Sequence, residues 1–341
     1  MTKKVTIKDV AREAGVSHAT VSMVFTGERR ISDKTREKVL DIARKMKYVP
    51  NLGASNLRSG KTKLIGFIVN DLSNPVYGKM AQTAEAIAVE RGYQLIISDH
   101  QWNPEAEAAA IEKMISFHAR GILLCCTERS KISIELLNQT GSPAVVAMDS
   151  CPVDYTGAYI GFDVEASGRM AAQHLLEAGC RNPVLFTAER SLRNLSSFVT
   201  LQQGFLDQLE ASGIPKGKHR VVYSGLTVEE GRKAFHRMRA LSADVDGIFC
   251  INDLCAYGVI AAADEVGIEI GKDLALMGIG DHSLSRIPRI SLTTISHPPE
   301  EVVRMAIEEL IESFEQERLP SIRCILPPEL IIRKSSRLGN R

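Results

Sequence analysis

The sequence predicts an all-α helix-turn-helix head followed by an α/β core made of two doubly wound parallel-sheet subdomains. Three observations predict it. Residues 6–25, TIKDVAREAGVSHATVSMVF, read as two short helices around a turn at Gly15. The first 63 residues hold 15 Lys/Arg against 6 Asp/Glu, net +9, while the remainder holds 27 against 35, net −8. From residue 64 onward, short apolar runs alternate with helical patterns.

In the first helix Ile7, Val10, Ala11 and Ala14 form one apolar stripe. Thr6 stands at the N-cap with Asp9 three residues on, a variant of the capping box. Gly15-Val16 makes the turn, and Ser17 can cap the second helix. That helix turns Val21, Val24 and Phe25 inward and His18, Ala19, Ser22 and Met23 outward. Such a pair can place its second helix in a DNA major groove, or be a helical hairpin in an unrelated core. A third amphipathic helix, capped by Ser32 with Thr35, Val39, Ile42, Ala43 and Met46 on one face, together with the basic charge, favours DNA.

Residues 50–63 read as a basic linker, helical only through about Leu57, where Gly53 weakens the helix further. The core begins with apolar runs at 64–69, 94–98, 121–126 and 144–149, with helical patterns between them, including 78–91 and 104–117. A second series lies at 184–188, 219–224, 247–251 and 274–279, with helices near 164–178, 201–211, 228–240 and 253–266. Near-continuous apolar strands separated by helices mean parallel sheets covered on both faces. A strand-like run (291–296), a helix (299–317) and a strand-like tail (322–333) would cross back between subdomains. The expected domains are a head over 1–49, a hinge over 50–63 and a core over 64–341. The N-subdomain is expected at about 64–163 and 291–324, the C-subdomain at about 164–290 and 325–341. Ligands in such folds bind beyond the carboxyl ends of the strands, here between the halves.

Composition excludes several classes. No apolar run approaches the roughly 18 residues of a membrane span. The start, MTKKVTIKDV, lacks the apolar segment of a secretory signal, so a cytoplasmic location is expected. The seven cysteines (125, 126, 151, 180, 250, 255 and 324) include no C-x-x-C and no Cys/His cluster at metal spacing. Reduced structural thiols, and neither metal nor cofactor, are expected.

The chain resembles the lactose-repressor (LacI/GalR) family of transcription regulators over essentially its whole length. The head phrases are TIKDVAREAGVSHATVS, ISDKTREKV, YVPN and LRSGKT. The core phrases are IGFIVNDLSNPVY, AAQHLLEAG, IFCINDLCAYG, LTTISHPPEE and LPPELIIRKS. The resemblance implies a homodimer on double-stranded operator DNA, a hinge helix formed on that DNA, and a periplasmic-binding-protein-like core whose small-molecule effector alters operator affinity. It places His18 and Ala19 at base-reading positions of the recognition helix. Thr6, Thr20, Ser22, Tyr48 and Asn51 fall where the family contacts phosphates or fixes the helix on the backbone, and Ser17, Met23 and Thr35 belong to the same DNA-facing surface. Leu57, with Ala54, sits where the family wedges an apolar side chain into the minor groove. Met23 and Ser55 replace arginines common in the family, so no relative's half-site transfers.

In the core the resemblance makes Tyr77 a wall of the effector site. Asp99, Cys125 and Asp149 lie at or just after successive strand ends. Asn252 and Asp253 follow GIFCI, and Asp281 follows LALMGI. Each alone could be a helix cap or loop carboxylate; their shared position at strand ends favours a cleft. Asp149, Asn252 and Asp281 are expected around one pocket. Leu201 stands where many relatives place an effector-binding arginine and Gly280 where an aspartate often grips ligand hydroxyls; losing both argues against assuming a pyranose and leaves a different sugar, a less polar ligand or a degenerate site open. Without that arginine a neutral effector, a sugar or related metabolite, is expected rather than a multiply charged phosphate.

Other readings remain beside this one. An enzyme is disfavoured: no Ser/His/Asp order, Walker loop or H-E-x-x-H occurs, and Gly278-Ile279-Gly280 lacks the third glycine of a dinucleotide fingerprint. A solute-binding protein would share the core but have no use for a basic head. A regulator activated by a partner protein is the alternative within the regulator reading. The ending RKSSRLGNR leaves no room for leucine heptads, so a dimer is expected rather than a tetramer.

Overall fold

The computed structural model describes residues 5–26, 30–49, 62–127, 131–137, 143–150, 155–188, 196–215, 220–242 and 244–338. The chain forms two units, 1–63 and 64–341.

The head contains α1 (Ile7–Ala14), α2 (His18–Thr26) and α3 (Asp33–Lys45). The Asp9 carboxylate accepts the Thr6 amide at 2.9 Å and the Thr6 hydroxyl at 2.7 Å, which fixes the start of α1. Gly15 ends that helix at φ +66°, in the left-handed region where a side chain is strained. The amides of Gly15 and Val16 return to the Arg12 and Ala11 carbonyls at 3.3 and 3.0 Å. Ser17 Oγ then accepts the Thr20 amide at 3.0 Å and caps α2. Val10, Val21 and Val39 are wholly buried, one from each helix, and lock the three together. Residues 50–61 of the expected hinge lie outside the described residues.

The core holds two six-stranded sheets. The first contains β1 (Leu64–Val69), β2 (Gln94–Asp99), β3 (Gly121–Cys125), β4 (Ala144–Asp149), β5 (Ala158–Phe162) and β11 (Arg323–Leu326), in the order β11-β5-β4-β3-β1-β2. The second contains β6 (Pro183–Thr187), β7 (Val221–Tyr223), β8 (Gly247–Cys250), β9 (Ala275–Ile279), β10 (Thr293–Ser296) and β12 (Glu329–Ile331), in the order β12-β10-β9-β8-β6-β7. Every pair is parallel except β10 with β12. The inner strands β1, β3, β6 and β8 are buried almost throughout, because helices cover both faces.

Helices α4 (Pro75–Glu90), α5 (Pro104–Ser116) and α6 (Lys131–Leu137) follow strands of the first sheet. Helices α7 (Val164–Glu177), α8 (Ser196–Ala211), α9 (Val228–Leu241) and α10 (Asp253–Glu265) serve the second. Helix α11 (Pro299–Glu315) returns to the first, where Val302, Ala306 and Leu310 join its core.

Three expectations need correction. The strand at 293–296 belongs to the second sheet, since Thr293, Thr294 and Ile295 pair with Met277, Gly278 and Ile279 of β9. The chain therefore crosses back between β10 and α11, not at 291. The tail 322–333 is two strands in different sheets, divided at Pro327-Pro328, where neither residue can donate to a ladder. Residues 325–326 thus remain in the first sheet. Strand β5 was missed: AYIGF is short, and Gly161 interrupts its β-formers.

One close approach sets up the cleft. A side chain at Gly168 would strike the Leu201 carbonyl, and one at Gly204 would strike the Glu165 carbonyl. These two glycines let α7 and α8 touch backbone to backbone, which brings Leu201 to the edge of the second sheet.

Candidate functional site

On the head, Ser17, His18 and Ala19 are exposed at the start of α2. Thr20, Ser22 and Met23 are half-buried, so the open surface is confined to the first turn. Thr6 is exposed beside it in the chain, with its hydroxyl held by Asp9. Thr35 stands at the start of α3, its hydroxyl 2.9 Å from that of Ser32. Tyr48 is half-buried against Phe25, ring centroids 5.8 Å apart. Arg36 donates to the Val24 carbonyl at 3.2 Å and ties α3 to the end of α2. Asn51, Ala54 and Leu57 lie outside the described residues.

In the core, a cavity of about 140 Å³ opens between the carboxyl edges of the two sheets. Tyr77, Asp149, Leu201 and Asn252 line it. Tyr77 follows the cap of α4, where Asn74 Oδ1 accepts the Val76 amide at 3.1 Å. Its phenol donates to Asp149 at 2.8 Å and accepts from Asn70 at 2.9 Å. Burial, and then the Asp149 charge, hold the Tyr77 phenol well above its ordinary range. Asp149 ends β4 at φ +67°, a left-handed conformation costly for a non-glycine residue and met most often at functional sites. Asn252 caps α10: its Oδ1 accepts the Cys255 amide at 2.7 Å and its Nδ2 donates to the Leu226 carbonyl at 2.9 Å.

Four expected site residues do not line the cavity. Asp281 is turned away and held by Arg286 and Arg333, so the expected grouping with Asp149 and Asn252 is corrected. Asp253 is wholly buried and accepts from the His282 amide and the Ser285 and Thr294 hydroxyls at 2.9, 2.7 and 2.6 Å. It ties the start of α10 to β10 and to the turn Ser283–Arg286. Cys125 is wholly buried under the first sheet, and burial pushes its thiol up. Asp99 accepts the Leu72 and Gln101 amides, both at 2.9 Å, and so shapes the loop after β2.

That loop carries the principal residue missed. Trp102, the single tryptophan of the chain, lines the cavity and meets Phe198 of α8 with ring centroids 5.5 Å apart. Phe162, at the end of β5, stacks on His297 at 4.5 Å and 11°. His297 also shares a hydrogen bond with Ser167 at 2.8 Å. Burial pushes its imidazole down to about 4, so it is neutral near pH 7. Ile251 and Ile279 complete the wall on the second sheet. Most of these residues stand at or just after a strand's carboxyl end, the rule that found Asp149; Phe198 lies one turn from Leu201. No Lys or Arg lines the cavity among the described residues.

A small helical head with an exposed second-helix start, joined to a two-sheet core with a cleft, defines a DNA-binding regulator with a ligand-binding core. Known proteins agree. Residues 6–51 match the family described as bacterial regulatory proteins, lacI family, and residues 172–336 match a periplasmic binding protein-like domain. The chain is 30% identical to the HTH-type transcriptional regulator DegA of Bacillus subtilis, over 98% of both chains. It is 30% identical to the HTH-type transcriptional repressor PurR of Haemophilus influenzae, over 97% of this chain and 98% of that one. Among solved structures, a LacI-family regulator from Silicibacter pomeroyi superposes with TM-score 0.83 at 27% identity, covering 98% of this chain and 99% of that one. The lac repressor dimer bound to operator and an anti-inducer gives TM-score 0.81 at 24% identity, over 99% and 100%. The chain belongs to the LacI family of DNA-binding transcriptional regulators.

Proposed function

We propose that this regulator acts as a homodimeric repressor, with two heads reading two half-sites, and that a small neutral molecule in the core cleft sets its operator affinity. One observation carries the proposal: the cavity lies between the two sheets, with walls from both, so an occupant has different contacts when the sheets approach or part. A ligand can shift that equilibrium by as much as its affinity differs between the two arrangements. On the head, His18 and Ala19 supply the exposed base-reading face, with Ser17, Thr20, Ser22, Met23, Thr6, Thr35, Tyr48 and Asn51 around it. Ala54 and Leu57 act in the hinge. In the cleft, Tyr77, Asp149 and Leu201 face the effector, and Asn252 holds the wall.

A multiply charged phosphate does not suit this cleft, because the described walls offer it carboxylates and no cation. The test is a selected operator duplex titrated with protein while candidate compounds are scanned, with Trp102 emission followed in parallel. A compound that changes both Trp102 emission and operator affinity supports the proposal. One that saturates Trp102 and leaves operator affinity unchanged contradicts it.

A further inference from the structure

Two aromatic side chains of the cleft lie where the chain passes from one sheet to the other. Phe162 ends β5, one residue before Asp163 caps α7, and His297 stands between β10 and α11. Their rings stack at 4.5 Å, and both line the cavity. His297 Nε2 lies 2.8 Å from Ser167 Oγ, and that hydroxyl donates to the Asp163 carbonyl at 2.9 Å. One hydroxyl carries one hydrogen. Both contacts are hydrogen bonds only if Nε2 holds the imidazole proton and donates it to Ser167. Nδ1 is then left as a lone pair, with no partner among the described residues. Burial keeps the ring neutral near pH 7, so that lone pair is free to accept.

We infer that His297 is a specificity-determining residue of the cleft: its Nδ1 accepts a hydrogen bond from an O–H or N–H of the effector. This rests on the cleft being the effector site. The effector is then a neutral molecule that carries at least one such donor, as an alcohol or an amide does. An ester, ether or ketone of the same shape would take water from the lone pair and return nothing, and an unmatched buried acceptor weakens binding. The place of His297 in the chain matters as well. Its ring touches Phe162 and Ser167, which flank one crossover, and itself stands on another. Groups at the crossovers move least when the two sheets approach or part, so this hydrogen bond can be made in both arrangements. His297 therefore selects which molecule binds, and the walls farther from the crossovers respond to closure.

The experiment uses the intact chain and two probes of matched shape. δ-Valerolactam carries an N–H beside its carbonyl; δ-valerolactone has the same ring with an oxygen in that place. Trp102 emission reports occupancy of the cleft, and NMR of the histidine ring nitrogens, assigned by the signals lost in His297→Phe, reports the contact. The lactam is expected to bind roughly tenfold more tightly than the lactone, the effect of one buried hydrogen bond, and to shift the Nδ1 resonance. His297→Phe keeps a ring on Phe162 and is expected to lose the preference. His297→Gln offers an amide N–H to Ser167 and a carbonyl to the cleft, and is expected to keep it. Equal affinity for the two probes with Nδ1 unmoved would leave the cleft as the ligand site and overturn the role of His297. A proton on Nδ1 in the free protein would overturn it too. If neither probe changes Trp102 emission, the cleft assignment falls and the inference with it.

Discussion

Asp253 shows how far a residue's environment can depart from what its position in the chain promises. It follows a strand of a parallel sheet, as a ligand-gripping carboxylate would, yet it spends its oxygens on His282, Ser285 and Thr294. Asp253→Ala would leave these donors buried without a partner and is expected to cost roughly 3 kcal/mol of stability, read as a lower urea midpoint. Asn252 and Asp99 also hold backbone in place. Side-chain direction separates these residues from Asp149, and chain position alone does not fix it. Trp102 escaped notice because its loop carries no motif; only its place after β2 could have marked it.

His297 provides a pH signature. Its folded value of about 4 lies below the ordinary 6.5, so the unfolded chain binds a proton first. Stability is then retained above about pH 6.5 and lost as pH falls toward 4. Because the imidazole is only partly enclosed, a loss of about 1–2 kcal/mol is expected between pH 7 and pH 5, smaller in His297→Asn. Equal pH dependence of denaturant midpoints in both proteins would contradict this. On the head, His18→Ala is expected to weaken a selected operator by about 1–3 kcal/mol and to leave random duplex little changed. Equal loss on both would assign His18 to phosphate.

At the scale of elements, the head was the most legible part, because each signal was local. Thr6, Asp9, Gly15, Ser17 and Ser32 sit at helix ends, and their chemistry does not depend on distant chain. Gly15→Ala tests this cleanly. No atom lies closer than 4.0 Å to the added carbon, so only the left-handed backbone opposes it. A loss of about 1–2 kcal/mol in head stability is expected by thermal unfolding, with Gly15→Asn less affected. The strands of the core were legible as apolar runs; their sheet membership was not. Strand β10 and the tail had the right pattern, but whether a strand joins the first or second sheet is settled by the course of α11 and the Pro327-Pro328 break. Pairing partners far apart in sequence leave no local mark.

At the scale of the whole molecule, charge is divided between a basic first 63 residues and an acidic remainder. Operator affinity is expected to fall linearly with the logarithm of salt concentration, by a slope of about −0.9 per phosphate neutralised. Light scattering is expected to give the mass of a dimer, since two half-sites about one helical turn apart need two heads. The most direct measurement is selection of binding sites from a random duplex pool with the intact chain, followed by titration of the enriched sequence. Convergence on a two-fold symmetric site, bound much more tightly than unselected DNA, is the predicted result. A pool that does not converge, or that converges on an asymmetric single half-site, would contradict the reading of this chain as a dimeric operator-binding regulator.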